Sequence, residues 1–303
     1  MKNMCFVTSF ILKVIALLTM TIDHVGLFLS MSYSYNPDVL AVSRIFRGIG
    51  RLALPLFVFM IVEGVLHTKN IKKYIARLGI MAAVISIFYL FLDYIPELHK
   101  LAYSNGFDFR MGNIFIDLTL VAISVYCLKS EKIYVKFLTL LPIAYSVLSF
   151  VVKGIEHSQV IDILWFPSFL TLQYDYFSVV LGVLFYVAYL LADLYIKALE
   201  PTSGMDKSIW VENGNYRLLV NILSAFLLAV ISVLYYLTTK YWPSAVFWDA
   251  NPQLIAICSG VLILLYNGKR GYNAKWFQYG SYLYYPLHII LIFVMYITIS
   301  GGL

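Results

Sequence analysis

Runs of roughly 20 apolar residues recur along almost the whole chain, and no other feature narrows its fold as much, because each is long enough to cross a hydrocarbon core of about 30 Å as one helix. Such runs occupy 6–31, 50–67, 74–95, 113–128, 133–152, 176–196, 216–238, 252–266 and 280–299. With 61% hydrophobic and 13% charged residues, the chain is too apolar for a soluble domain or a disordered one. The expected fold is an all-α polytopic membrane protein with nine transmembrane helices in one bundle. The stretch SQVIDILWFPSFLTLQY, 158–174, carries Asp162 and Pro167 and is short. It reads as an interfacial or re-entrant piece, or as a tenth span if it crosses.

Basic residues choose the orientation, since Lys and Arg collect in cytoplasmic connections. The nine-span reading puts the clusters at 69–77, 129–136 and 269–275 on the same side as the N-terminus, and ten spans would scatter them. The N-terminus is therefore expected in the cytoplasm. The start, MKNMCFVTSFILKVIALL, has the charged and apolar parts of a signal peptide, but Lys13 interrupts the apolar part and no small-residue cleavage site follows, so it reads as a retained first span. No linker or repeat divides residues 1–303, which are read as one domain. Cys5, Cys127 and Cys258 have no metal-ligand spacing and read as packing residues; no metal site is expected. The net charge of +6 is assigned to topology and anionic headgroups, with the lipid bilayer as partner and no nucleic-acid module.

Ionisable residues inside spans are costly, so function is the default hypothesis for them and a structural pair the competing one. In TMTIDHVGLFLS, 19–30, Asp23 and His24 stand side by side within an apolar run. Lys13 and His24 are eleven residues apart, which on a helix returns to within roughly 20° of the same face about 16 Å along the axis. A neutral histidine can take a proton from an amine or hydroxyl as a general base; the alternative is an interhelical hydrogen bond. Arg44, Arg47 and Arg51 fall at i, i+3 and i+7, a stripe suited to a carboxylate or polyanion, or to lipid phosphates or neutralising Asp23. Glu63 and His67, at i and i+4, read first as an ion pair with each other or with Lys13, and second as a substrate contact. The turn NGKRG, with Asn267, Lys269 and Arg270, offers backbone amides and cations to phosphates. His288 follows an aromatic cluster of Tyr282, Tyr284 and Tyr285 that an interfacial belt would explain.

Taken in order, LKVIALLTMTIDHVG, then RIFRGIGRLALPLFVFMIVEGVLHTKNIKKYIARL, then LLYNGKRG followed by YLYYPLH resemble the TraX family, named for the conjugation protein that acetylates F pilin. The likeness runs from residue 12 to 292. It is weaker in the middle, where NIFIDLTL and the DYF at 175–177 carry it. That family is similar in turn to the acyltransferase-3 proteins and heparan-alpha-glucosaminide N-acetyltransferase, which carry a basic residue about three turns before a histidine in an early helix. The resemblance implies His24 as catalytic base or acetyl relay, Asp23 beside it, and Lys13 in the basic position.

It also implies acetyl-CoA as co-substrate, arriving from the cytoplasm with its phosphates near Lys269, Arg270, Lys72 and Lys73. The acceptor, an amine or hydroxyl on a pilin or peptide, would come from the outer side near Arg44, Arg47 and Arg51. Tyr285, His288 or an arginine would meet the oxyanion. Alternatives are O-acetylation of a surface glycan or lipid-linked sugar, a transporter or flippase using Lys13, His24, Glu63 and His288 as a polar path, and a structural assembly factor. Lys- and Ile-rich usage hints at a bacterial cell membrane.

Overall fold

A computed structural model describes residues 5–33, 35–97, 112–159, 165–241 and 251–300. Its helices in chain order are α1 (Ser9–Ser32), α2 (Pro37–Gly50), α3 (Ala53–His67), α4 (Ile71–Tyr94), α5 (Ile114–Lys129), α6 (Ile133–Phe137) and α7 (Leu140–Gln159). They continue with α8 (Asp175–Ser203), α9 (Lys207–Glu212), α10 (Asn215–Tyr241), α11 (Ser259–Leu264) and α12 (Lys275–Ser300). Asparagines open several of them: the side chains of Asn36, Asn70 and Asn113 accept from Val39, Lys73 and Phe115 N–H groups at the starts of α2, α4 and α5. Each satisfies a donor that the first turn leaves without a helical partner. Gly204, at φ +64°, ends α8 in a conformation that disfavours other residues.

Six described helical stretches are long and apolar enough to cross a membrane: Ser9–Met31, Pro37–His67, Ile71–Phe91, Ile133–Glu156, Asp175–Ser203 and Asn215–Tyr241. The chain is a helical membrane protein, and the expected count of nine or ten spans is corrected to six by this measure. Length is the main reason. Helix α5 has 16 residues, about 24 Å at 1.5 Å per residue, which falls short of the core thickness. The expected 252–266 span divides into a 3-10 stretch, Asn251–Cys258, and the six-residue α11. The expected 280–299 is helical within α12 but is not one of the six.

Helices α3, α5 and α8 supply the interior, with Leu56, Val58, Val62, Val121, Ala122, Val125 and Leu181 fully enclosed. Close backbone approach sets α1 against α2: a Cβ on Gly26 would lie 2.8 Å from Phe46 Cβ, and Ser43 Oγ donates to the Gly26 carbonyl at 2.7 Å. Before α1, the chain clasps the turn before α12. Val7 N–H donates to Leu265 O (3.0 Å), Asn267 N–H to Val7 O (2.9 Å), Ser9 N–H to Lys269 O (2.9 Å) and Phe10 N–H to Arg270 O (3.0 Å).

Of the 158–174 segment, residues 158 and 159 close α7 and the part from 165 on is not a crossing helix; Asp162 lies outside the described residues. After a 3-10 turn at Ser168–Leu170, Thr171 and Leu172 run buried in irregular backbone. Away from water such backbone persists only where its polar groups find partners. Asp117 accepts from Gln173 N–H at 2.8 Å and Tyr174 N–H at 3.1 Å, and Ser149 Oγ accepts from Leu172 N–H at 3.0 Å. Lys153 Nζ donates to Leu172 O at 2.8 Å and pairs with Asp175 at 3.0 Å. This network sets Gln173 and Tyr174 against the cavities described next.

Candidate active site

Helices α1, α3 and α12 enclose an inner cavity of about 170 Å³. Lys13, Leu17, Met20, Asp23 and His24 line it from α1, so the face computed for Lys13 and His24 does front one space. Tyr285 and Ser281 line it from α12, and Gln173 and Tyr174 from the irregular segment. Most of the remaining wall is apolar. Toward the N-terminal end of α1 lies a vestibule of about 560 Å³ that shares Lys13, Met60, Tyr74 and Tyr282 with the inner cavity. The two spaces adjoin at Lys13, whose ammonium sits 5.8 Å from the Phe277 ring centre.

His24 and His288 face each other across α1 and α12, with Nδ1 of His24 and Nε2 of His288 2.5 Å apart and the rings stacked at 4.8 Å. The protons in this pair can be placed. His288 Nδ1 lies 2.8 Å from the Tyr284 carbonyl, which only accepts, so Nδ1 carries the proton. In neutral His288, Nε2 is then the acceptor, and His24 must donate to it from Nδ1. That leaves His24 Nε2 as a lone pair to which no described residue bonds. Helix α12 is held in register by Thr21 Oγ1, which hydrogen-bonds the Tyr284 hydroxyl at 2.6 Å.

Asp23 does not orient His24. Its Oδ2 accepts from Arg47 Nη1 at 2.7 Å, and Arg51 Nη2 stands 3.7 Å from Oδ1. On a helix adjacent residues diverge, and the two arginines, on α2 and at its end, take the carboxylate instead. Arg44 is exposed and joins neither cavity. The expected three-residue stripe divides within α2: Arg47 and the C-cap Arg51 meet Asp23, while Arg44, nearer the helix start, does not. A Cβ on Gly50 would sit 2.1 Å from Asp23 Cβ. A Gly50→Ala protein is therefore expected to lose about 1–3 kcal/mol of stability by overpacking, read as an earlier thermal midpoint in detergent.

Glu63 is taken by Arg217, at 2.7 Å and 3.4 Å, with Tyr266 donating to Oε2 at 3.3 Å; His67 Nδ1 bonds the Glu63 backbone carbonyl at 2.9 Å and stands 3.7 Å from Oε2. It is a buried structural pair, and its pairing with Lys13 is not formed. Among the cations expected around the donor, Lys13 and Arg270 line the vestibule, whereas Lys72, Lys73 and Lys269 are exposed outside it. Asn267 is spent on the turn, its Oδ1 accepting from Lys269 N–H at 2.9 Å. Tyr285 is buried with its hydroxyl 3.3 Å from Gln173 Oε1, and its ring lies 6.3 Å from that of His24. Sequence reasoning missed Arg77, which lines the vestibule from α4; its place one turn after Lys73 was the available signal. It also missed Arg217 and the carboxylates Asp117 and Asp175.

A family profile described as TraX protein matches residues 9–296. Over 124 residues the chain is 31% identical to a probable fimbrial assembly protein FimC, serogroup H1, of Dichelobacter nodosus; the alignment covers 41% of this chain and 47% of that protein. The chain thus spans about half the length of this curated relative. No solved structure matches.

Proposed function

Because the chain belongs to the TraX family, we propose that it is a membrane-embedded acetyltransferase moving an acetyl group from acetyl-CoA to an amine on a pilin or other peptide. Fimbrial assembly in the name of the Dichelobacter nodosus relative agrees with a pilin acceptor. The observation that carries the reading is the histidine pair, which leaves His24 Nε2 unprotonated beside a narrow cavity continuous with a cation-lined vestibule.

The acceptor nitrogen attacks the thioester carbonyl while His24 Nε2 takes its proton. The C–N bond forms, the C–S bond breaks, and the histidine returns the proton to the departing thiolate. The Tyr285 hydroxyl donates to the oxyanion. Asp23, Arg47 and Arg51 form a fixed charge cluster on the far side of His24 and keep α1 and α2 in register.

In the proposed orientation the vestibule faces the cytoplasm of a bacterial cell, with the N-terminus on the same side. The basic connections beside the vestibule support it: Lys69, between α3 and α4, and Lys269, before α12, each follow an even number of crossings. A transporter is the second reading, favoured by one feature. A small third cavity of about 20 Å³ shares Asp23 and His24 with the inner one and extends the line of cavities to Arg47 and Arg51.

The test is to incubate the purified protein with acetyl-labelled acetyl-CoA and a pilin-type N-terminal peptide. Label on the peptide, or catalysed release of free acetate, supports the reading; a folded protein that does neither overturns it in favour of transport. Replacing His288 by Phe removes the acceptor that fixes the His24 tautomer. Turnover is then expected to fall roughly tenfold or more, with His288→Gln recovering part of it through an amide acceptor.

A further inference from the structure

The composition of the vestibule indicates which part of a donor it would recognise. Its lining holds three cations, Lys13, Arg77 and Arg270, against one carboxylate, Glu63, and that carboxylate is already paired with Arg217. The uncompensated charge calls for a ligand with more than one negative charge. Arginine contributes a planar fork suited to phosphate oxygens, and Arg77 is partly anchored by its own Nε–H donating to Lys73 O at 3.2 Å. At about 560 Å³ the space falls within the roughly 300–1,000 Å³ of small-molecule sites.

Two further features select among phosphate compounds. One wall is aromatic: Phe10 packs edge-on to Tyr272 at 5.4 Å and tilted against Phe277 at 4.8 Å, all three facing the vestibule. Beside them stand two amide side chains, Asn273 and Gln278, which hydrogen-bond each other through Gln278 Nε2 and Asn273 Oδ1. Flat rings to stack on and amides to pair with an edge are the means by which proteins hold a nucleobase. A lipid phosphate needs neither. The adjoining inner cavity, at about 170 Å³, is too small for a nucleotide and admits only a slender chain.

We infer that the vestibule is a nucleotide site for a purine carrying at least two phosphates, with Arg77 and Arg270 on the phosphates and the Asn273–Gln278 pair beside the base. The inference rests on the acetyl-CoA reading for the identity of the donor, and it goes beyond that reading by making the nucleotide, not the acyl arm, the part that is recognised. The base stacks at the aromatic wall and stops at Lys13, and only the pantetheine arm continues inward.

Calorimetry on the protein in nanodiscs of zwitterionic lipid tests it, using the adenosine bisphosphate fragment of coenzyme A, inorganic phosphate and pantetheine as separate probes. The nucleotide fragment should bind and displace acetyl-CoA, and Arg77→Ala and Arg270→Ala should each weaken it at least tenfold, less so in high salt. Gln278→Ala, a change at a half-buried side chain, should weaken the purine more than it weakens inorganic phosphate. Equal binding of nucleotide and inorganic phosphate, or displacement only by anionic lipid added to the nanodiscs, overturns the inference. So does equal transfer of acetyl from acetyl-CoA and from acetylpantetheine, an outcome that leaves the acetyltransferase reading standing. A protein that binds the nucleotide yet transfers acetyl from neither donor keeps this inference and removes that reading.

Discussion

A His24→Ala protein is expected to bind acetyl-CoA as the parent does and to lose acetyl release or transfer by 10²–10⁴-fold, the usual contribution of a positioned general base. At about 1.4 kcal/mol per tenfold, this is roughly 3–5.5 kcal/mol of barrier. Binding survives because the vestibule is built from α4, the 268–273 turn and α12, and His24 is not among its lining residues. Turnover does not, because Nε2 is the lone pair that the histidine pair leaves open. Labelled acetyl-CoA with equilibrium binding on one sample and product counting on another separates the two quantities. Undiminished turnover would remove His24 from the chemistry and return the pair to the role of an interhelical clamp.

The second large effect is structural. Lys153 is only 5% exposed and donates both to Asp175 and to the Leu172 carbonyl. Replacing it by Met leaves a buried carboxylate without its counter-charge and an irregular backbone carbonyl without its donor. A loss of about 3–5 kcal/mol is expected, visible as a sharp fall in the thermal midpoint in detergent. Adding Asp175→Asn should recover most of it, since the desolvated charge is then gone. Asp175 also holds φ at +51°, an unfavourable region for a residue with a side chain, and asparagine tolerates it better than most. If the single and double variants melt alike, the pair contributes little and the irregular segment is held by Asp117 alone.

Periodicity made the α1 face legible, because Lys13 and His24 depend only on helical geometry within one segment. Partners far apart in sequence were not: His24 meets His288 and Glu63 meets Arg217 across 264 and 154 positions, and nothing in a single chain's pattern pairs them. The arginine stripe failed at Arg44 because spacing along one helix says nothing of where a neighbouring helix supplies a partner: Asp23 of α1 meets Arg47 and Arg51 near the end of α2, while Arg44, nearer its start, is exposed. The span count failed for a related reason. Hydropathy registers apolar residues, but it does not distinguish a full crossing from a short helix such as α5 whose first turn is buried against an irregular segment.

The clasp between residues 7–10 and 265–270 has a consequence for synthesis. A ribosome releases residues 7–10 long before residues 265–270, so α1 enters the bilayer well before the hydrogen bonds that fix its start can form. Until Arg270 emerges, the mouth of the vestibule lacks one wall and Phe10 lacks Tyr272 and Phe277 to pack on. A nascent chain therefore completes the vestibule only once α12 has followed α1 into place.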